Sequence, residues 1–282
     1  MTRYLITGAA GMLGQDLQLA LSGRDVTALS RAALDITDEA AVADAVAGHD
    51  VVINAAAYTK VDDAEAHEDD ARAVNARGPE VLARATAATG AKLVHVSTDY
   101  VFDGNGTSPY AEDEPTAPIG AYGRTKAAGE AAVREIAPDS SYIVRAAWLY
   151  GAGGPNFAKT MIRLAGSHDT VQVVVDQLGQ PTWTGDLARQ IVAMLDADAP
   201  AGIYHGTNAG KGSWFDFTRA IFAEVGLDPE RVLPTDSSAF VRPAPRPAYS
   251  VLGHDAWRRA GIEPMRDWRE ALHAAAEAGV LV

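Results

Sequence analysis

Arg3-Tyr4-Leu5-Ile6-Thr7-Gly8-Ala9-Ala10-Gly11-Met12-Leu13-Gly14 comes almost at the start of the chain, and its reading decides the fold. The first five residues are β-rich, three glycines follow at a spacing of three, and a helical pattern runs on through Leu17 and Leu21. Strand, glycine turn and helix together bring backbone N–H groups and a helix N-terminus to the place where a pyrophosphate can sit. Gly8, Gly11 and Gly14 let the backbone turn tightly and come close to a ligand. The spacing is Gly-x-x-Gly-x-x-Gly, not the commoner Gly-x-Gly-x-x-Gly, so it is the position after the first strand that favours a cofactor loop.

Further strands follow with helical stretches between them. Asp25-Val26-Thr27-Ala28-Leu29 ends at Ser30-Arg31, where an acidic residue would bind a ribose 2′-hydroxyl and a basic one accommodates a 2′-phosphate. Ser30 and Arg31 therefore tilt the choice towards NADPH, against an arginine simply solvated at a strand end. Asp35 either caps the helix that starts near Asp38 or lies beside the adenine. Asp50 to Asn54 is a third buried strand, and the small residues after it, Ala55 to Ala57 before Tyr58 and Thr59, suit backbone lying against a cofactor. Lys92 to Val96 is a fourth strand, running into Ser97-Thr98-Asp99. Ligands of open parallel sheets bind beyond the carboxyl ends of strands, so the Thr98 hydroxyl either donates to a developing oxyanion or caps its own turn. With Ser141 to Arg145 as a further strand, the alternation argues an α/β, Rossmann-like, doubly wound parallel sheet.

Tyr122-Gly123-Arg124-Thr125-Lys126 opens a run of helical composition that stops at Pro138. Positions four apart share a helix face, so the phenol and the ammonium point the same way. A neighbouring cation favours phenolate and is expected to lower the tyrosine pKa towards the range of a general acid or base. The five residues alone describe an exposed tyrosine and lysine equally well.

The 282 residues suffice for one large domain or two lobes. A net charge of −13 argues against a nucleic-acid binder, and no stretch approaches the length of a membrane span. No signal peptide is read at the start. Zero cysteines exclude disulfides and thiolate sites and fit a cytoplasmic protein, and the seven histidines lack metal-site spacing. Arg242 and Arg246, in the proline-rich run Arg242-Pro243-Ala244-Pro245-Arg246-Pro247, either meet a phosphate or belong to a solvated linker.

These residues, taken in order, resemble the extended short-chain dehydrogenase/reductase superfamily. The carriers are Thr7 to Gly14, Asn54-Ala55-Ala56-Ala57, Asn75, Ser97 to Gly104, and Tyr122-x-x-x-Lys126. Trp148-Leu149-Tyr150-Gly151, Asn156 to Met161, Asp176-Gln177-x-Gly179-x-Pro181-Thr182 and Arg242-Pro243 resemble the dTDP-4-dehydrorhamnose reductase family within it. The resemblance covers essentially the whole chain. It implies an NAD(P)H-dependent reductase of a dTDP-sugar ketone that uses NADPH, with NADH as the alternative. Other 4-keto-6-deoxy nucleotide sugars and a non-catalytic regulatory subunit are the rival roles.

The resemblance further implies that Tyr122 is the proton donor, that Lys126 holds the nicotinamide ribose, and that Thr98 is the carbonyl hydrogen-bond donor. Gly11, Met12 and Leu13 then contact the pyrophosphate, and Ser30, Arg31, Asp35 and Ile36 stand at the adenosine end. Ala57, Tyr58 and Thr59 lie along the cofactor. Thr98, Asp99, Tyr122, Trp148 and Asn156 form the sugar site. No metal site is expected, since Asp16 alone matches a magnesium position of some members, and a homodimer is the assembly the resemblance suggests. Residues 1–147 and 184–228 are expected to form the cofactor unit, with a helix near 267–278 returning to it. A smaller interleaved lobe is expected from 148–183 and 229–266.

Overall fold

The structure is a computed structural model and describes residues 1–281. The first half runs β1 (Arg3–Thr7), α1 (Met12–Ala20), β2 (Asp25–Leu29), α2 (Glu39–Val46), β3 (Val51–Asn54), α3 (Glu68–Arg72), α4 (Gly78–Thr89), β4 (Lys92–Thr98), α5 (Ala121–Ile136) and β5 (Ser141–Ala146). The second half begins with β6 (Leu149–Tyr150), α6 (Phe157–Ala165), β7 (Val171–Val174), β8 (Leu178–Gly179), β9 (Thr182–Trp183) and α7 (Thr184–Asp196). It ends with β10 (Gly202–His205), β11 (Gly212–Ser213), α8 (Trp214–Glu224), β12 (Val232–Thr235), α9 (Asp255–Arg259) and α10 (Trp268–Glu277).

Six strands form one parallel sheet in the order β10-β5-β4-β3-β1-β2. Successive side chains of a strand face opposite ways, so a sheet covered on both sides reads as unbroken apolar runs. Ile6, Ile53, Val94 and Val144 face α1 and α7 in one core, whereas Leu5, Val52, Leu93 and Ile143 face α2, α4 and α5 in the other. The chain leaves β1 for β2 on one side and β3 on the other, which opens a crevice at the carboxyl ends of β1 and β3. There the two loops touch. Gly8 has φ +70°, and a Cβ on it would lie 2.6 Å from the Ala56 nitrogen.

The second lobe is built around α6, α8 and α10, with Phe217, Ile221, Trp268 and Leu272 buried among them. Short pairings tie it together: β6 with β9, β7 with β12 and β8 with β11. Residues 184–228, expected together in the cofactor unit, divide. Helix α7 lies on α1 and β10 completes the sheet, whereas α8 buries Phe217 and Phe222 in the second lobe. Helix α10 packs on α8 rather than on the sheet, and α9 carries Trp257 back into the sheet core beside Tyr204. An amphipathic pattern shows that one face is buried without naming what covers it.

Candidate active site

A cleft of about 380 Å³ runs along the carboxyl ends of β1 and β3. Gly8, Gly11, Met12, Leu13 and Gly14 form one wall, with Ala57, Tyr58 and Thr59 facing them. Arg31, Asp35 and Ile36 close one end, and Tyr122 and Lys126 stand at the other. A Cβ on Gly14 would run into the Gly8 carbonyl, so the turn requires glycine there. Ser30 is not part of the wall; its carbonyl accepts from Ala33 and Leu34 and turns the chain. The Asp35 alternative resolves towards the cleft. Asp38 caps α2, accepting from Ala40 N at 3.0 Å, while Asp35 binds the Thr37 N–H and hydroxyl. Those two bonds, the backbone one first, hold the Asp35 carboxyl below the usual range.

The loop after β3 is held from behind. Between α3 and α4 lies a π-helical turn, Ala73–Arg77, a local widening often found at functional sites. It turns Asn75 inward, so that Oδ1 accepts from Tyr58 N (2.8 Å) and Nδ2 donates to Tyr58 O (3.1 Å) and Thr125 Oγ1 (3.2 Å). One buried amide thus links the cofactor loop to α5. Asn54 Oδ1 accepts from Thr7 Oγ1 at 2.7 Å and Ala56 N at 3.1 Å, fixing the start of the same loop.

Helix α5 begins where its Ala121 N–H donates to Glu65 Oε1 at 2.8 Å, and Tyr122 follows at once. Lys126, one turn on, is 1% exposed and donates to Val96 O at 2.6 Å. Burial lowers its pKa to about 8. The expected lowering of the Tyr122 pKa is not found. Burial pushes the phenol up to about 12; the Thr98 hydroxyl pulls it down and the Asp99 charge adds to the rise. Spacing alone does not report desolvation, which here is the largest influence on the phenol.

Thr98, the last residue of β4, does two things the sequence offered as alternatives. It stands beside the Tyr122 phenol, and it caps the following turn by accepting from Tyr100 N at 3.2 Å. Its own hydrogen goes to Asp99 Oδ1 at 2.9 Å. Asp99, expected at the sugar, is 2% exposed and lies behind Thr98. Trp148 stands two residues past Ala146, which pairs with Thr98, and its ring stacks on Trp214 of the second lobe. Asn156 caps α6 through Lys159 N (3.1 Å) and donates to Gly151 O (2.9 Å), a bond that locks its own loop.

A second cleft of about 490 Å³ lies between Tyr100 and the second lobe. Its walls include Asp62, Phe157, Gln177, Trp214, Phe240 and both candidate arginines. Arg246 pairs with Asp62 at 2.9 Å, whereas exposed Arg242 has no ion pair among the described residues. Sequence reasoning did not single out Asp62, Gln177 or Trp214 as site residues. Trp214, directly after a serine N-cap and half-buried, was the one local signal.

Burial pushes the Asp99 carboxyl up to about 6, partly offset by the Ser250 and Thr98 hydroxyls. The folded chain therefore keeps a proton that the unfolded chain releases near 3.8, and stability falls as pH rises through this window. Asp99→Asn cannot ionise and is expected to remove that decline. Its melting temperature relative to wild type should climb between about pH 4 and about pH 7, and a difference flat with pH would sink the assignment.

The comparisons agree with this geometry. A family model described as the RmlD substrate binding domain matches residues 2–280. A dTDP-4-dehydrorhamnose reductase of Streptomyces griseus is 56% identical over 278 residues, covering 96% of this chain and 91% of that protein. A probable dTDP-4,6-dihydroxy-2-methyloxan-3-one 4-ketoreductase of Streptomyces antibioticus is 52% identical, covering 97% and 94%. The crystal structure of a dTDP-4-dehydrorhamnose reductase from Bacillus anthracis in complex with NADP matches with a TM-score of 0.95 at 40% identity, over 99% of this chain and 100% of that one. With the glycine loop, the open parallel sheet and the Tyr122–Lys126 helix all inside the matched span, the chain belongs to the RmlD substrate binding domain family.

Proposed function

We propose that the protein reduces the C4 ketone of dTDP-4-dehydro-β-L-rhamnose to dTDP-β-L-rhamnose with NADPH. The observation that carries this is the meeting of Tyr122, Lys126 and Thr98 at the inner end of a glycine-walled cleft. The residues fit a phosphorylated dinucleotide: the cradle has no room for a Cβ at Gly8 or Gly14, and Arg31 lines the adenosine end. When bound, the cofactor supplies the hydride that adds to the carbonyl carbon.

The chain supplies the rest. The Tyr122 hydroxyl gives its proton to the carbonyl oxygen, which completes the alcohol and leaves a phenolate that solvent reprotonates. A phenol held near 12 is protonated at neutral pH, as a donor must be. Thr98 donates a hydrogen bond to the same oxygen once its hydroxyl turns from Asp99. Lys126 keeps one N–H on Val96 O and has two left for the cofactor ribose. The dTDP moiety takes the second cleft, with Arg242 free to meet the diphosphate and Arg246 exchanging Asp62 for it.

This function carries a cytoplasmic location, the compartment that holds NADPH and sugar nucleotides. The relative from Streptomyces antibioticus favours one second reading, a reductase of a different dTDP-4-keto sugar. Following NADPH absorbance on enzymatically prepared dTDP-4-dehydro-L-rhamnose separates the two. Consumption yielding dTDP-L-rhamnose supports the first reading, turnover confined to other 4-keto sugars supports the second, and no turnover of any removes both. In the same assay Arg31→Ala is expected to raise KM for NADPH by about tenfold and leave that for NADH nearly unchanged. Equal effects on both cofactors would remove Arg31 from the 2′-phosphate.

A further inference from the structure

Trp148 has φ +48°, a conformation that a bulky L-residue keeps only where its surroundings impose it. Its surroundings do so from both faces. On one side the Trp214 ring lies parallel, with centroids 3.6 Å apart and planes 8° apart. On the other, Gly179 is so close that an added Cβ would come 2.5 Å from the indole. The two walls of this slot are joined. Gly179 pairs with Gly212 and Leu178 with Ser213, so the glycine under Trp148 and the residue before Trp214 lie on one two-strand bridge. Ser213 fixes Trp214 as the first residue of α8 through a reciprocal capping box with Asp216, at 3.0 and 2.9 Å.

Trp214 also reaches the other way. Its Nε1 donates to Gln177 Oε1 at 3.1 Å, and Gln177 Nε2 donates to Ser237 Oγ at 2.9 Å. Ser237 donates to Asp176 Oδ1 at 2.8 Å and anchors the segment that carries Phe240 and Arg242 into the second cleft. Both indoles are half-buried, so neither is simply core filling.

We infer that Trp214 is a positioning residue: it clamps Trp148 in its left-handed conformation as a wall of the sugar site and, through Gln177, sets that wall relative to the diphosphate arginine. The inference rests on the sugar-nucleotide reading above. Without the clamp, Trp148 relaxes to an ordinary φ and its indole leaves the slot between Trp214 and Gly179. The sugar ketone then loses a fixed wall while the cofactor cleft is untouched.

A double-mutant cycle tests this. Trp214→Leu is expected to lower kcat/KM for the dTDP-4-keto sugar by about tenfold, with KM for NADPH unchanged. In a Trp148→Leu background the same substitution should cost about threefold, because only its own place in the second cleft and its bond to Gln177 then remain. Trp214→Phe keeps a stacking ring and should recover most of the loss. Additive losses in the cycle, a Trp214→Leu enzyme within about twofold of wild type, or an equal rise in KM for NADPH would each overturn the inference. If Trp214→Leu does not fold, Trp214→Phe and Gln177→Ala carry the same comparison between the two substrates. Near-ultraviolet circular dichroism provides a readout independent of turnover. Coupling between the stacked indoles should be present in wild type and lost equally in either single variant, and its absence from wild type overturns the clamp. A wild type that shows this coupling yet reduces no dTDP-4-keto sugar would sink the functional reading and leave the clamp standing.

Discussion

Tyr122→Phe is expected to lower kcat by about a thousandfold while NADPH binding stays within about twofold of wild type. Phenylalanine keeps the ring, the start of α5 and the edge contact with Tyr100 at 5.5 Å, so only the O–H is lost. In the proposed mechanism no other group stands ready to donate. Beyond Val96 O, the N–H groups of Lys126 go to the cofactor ribose, and Thr98 lends the carbonyl oxygen a hydrogen bond without releasing its proton. With the phenol held near 12, the wild type should also show no falling limb from this tyrosine between about pH 6 and about pH 9. Single-turnover rates with saturating NADPH, together with fluorescence titration of NADPH, provide the check. A variant with more than about a tenth of wild-type kcat would remove Tyr122 from the proton-transfer step.

Glu130→Ala should destabilise the fold by about 3–5 kcal/mol, the range for breaking a buried ion pair from one side. Glu130 on α5 and Arg145 on β5 are 3% and 2% exposed, joined by contacts of 2.8, 3.0 and 3.2 Å. Removing the carboxylate leaves a buried guanidinium with no counter-charge among its close contacts in the described residues, which are the Glu112 carbonyl at 3.2 Å, the His205 ring and the face of Phe102. His205 offers no charge to replace it, since burial and Arg145 itself lower its pKa to about 3. Replacing both partners by methionine is expected to cost much less, because no charge is then stranded. Urea denaturation of both variants decides it. A loss below about 1 kcal/mol for Glu130→Ala would mean that water reaches the arginine.

Much of this architecture could be read from the chain because its signals are local. Thr7 to Gly14 states strand, turn and helix in consecutive residues, and the Tyr122–Lys126 spacing brings both side chains to the same end of the cleft, as the structure finds. The failures are all long-range. Nothing near Tyr122 in the chain shows that its phenol will be buried, so the neighbouring cation points to a lowered pKa where burial raises it. Nor does the chain near Asp99 and Asn156 show that the first will be buried and the second will cap α6. The partners of α8 and α10 depended on which surface remained uncovered, a property of the assembled sheet. Trp214 and Asp62 become site residues only once late segments fold back across the first half.

The strand order has a consequence for how the protein is made. Strand β5 is buried along its whole length, yet its outer neighbour β10 lies more than fifty residues further on. At about 5–20 residues per second, a ribosome needs several seconds to supply that stretch. During this time five strands can pair while β5 offers an apolar, unpaired edge to any other nascent chain. The interleaved lobe cannot shield it, because α8 and α10 are synthesised later still. Chains truncated between residues 147 and 201 should therefore aggregate through that edge, and expression should respond to slower translation or to chaperones that cover exposed strands.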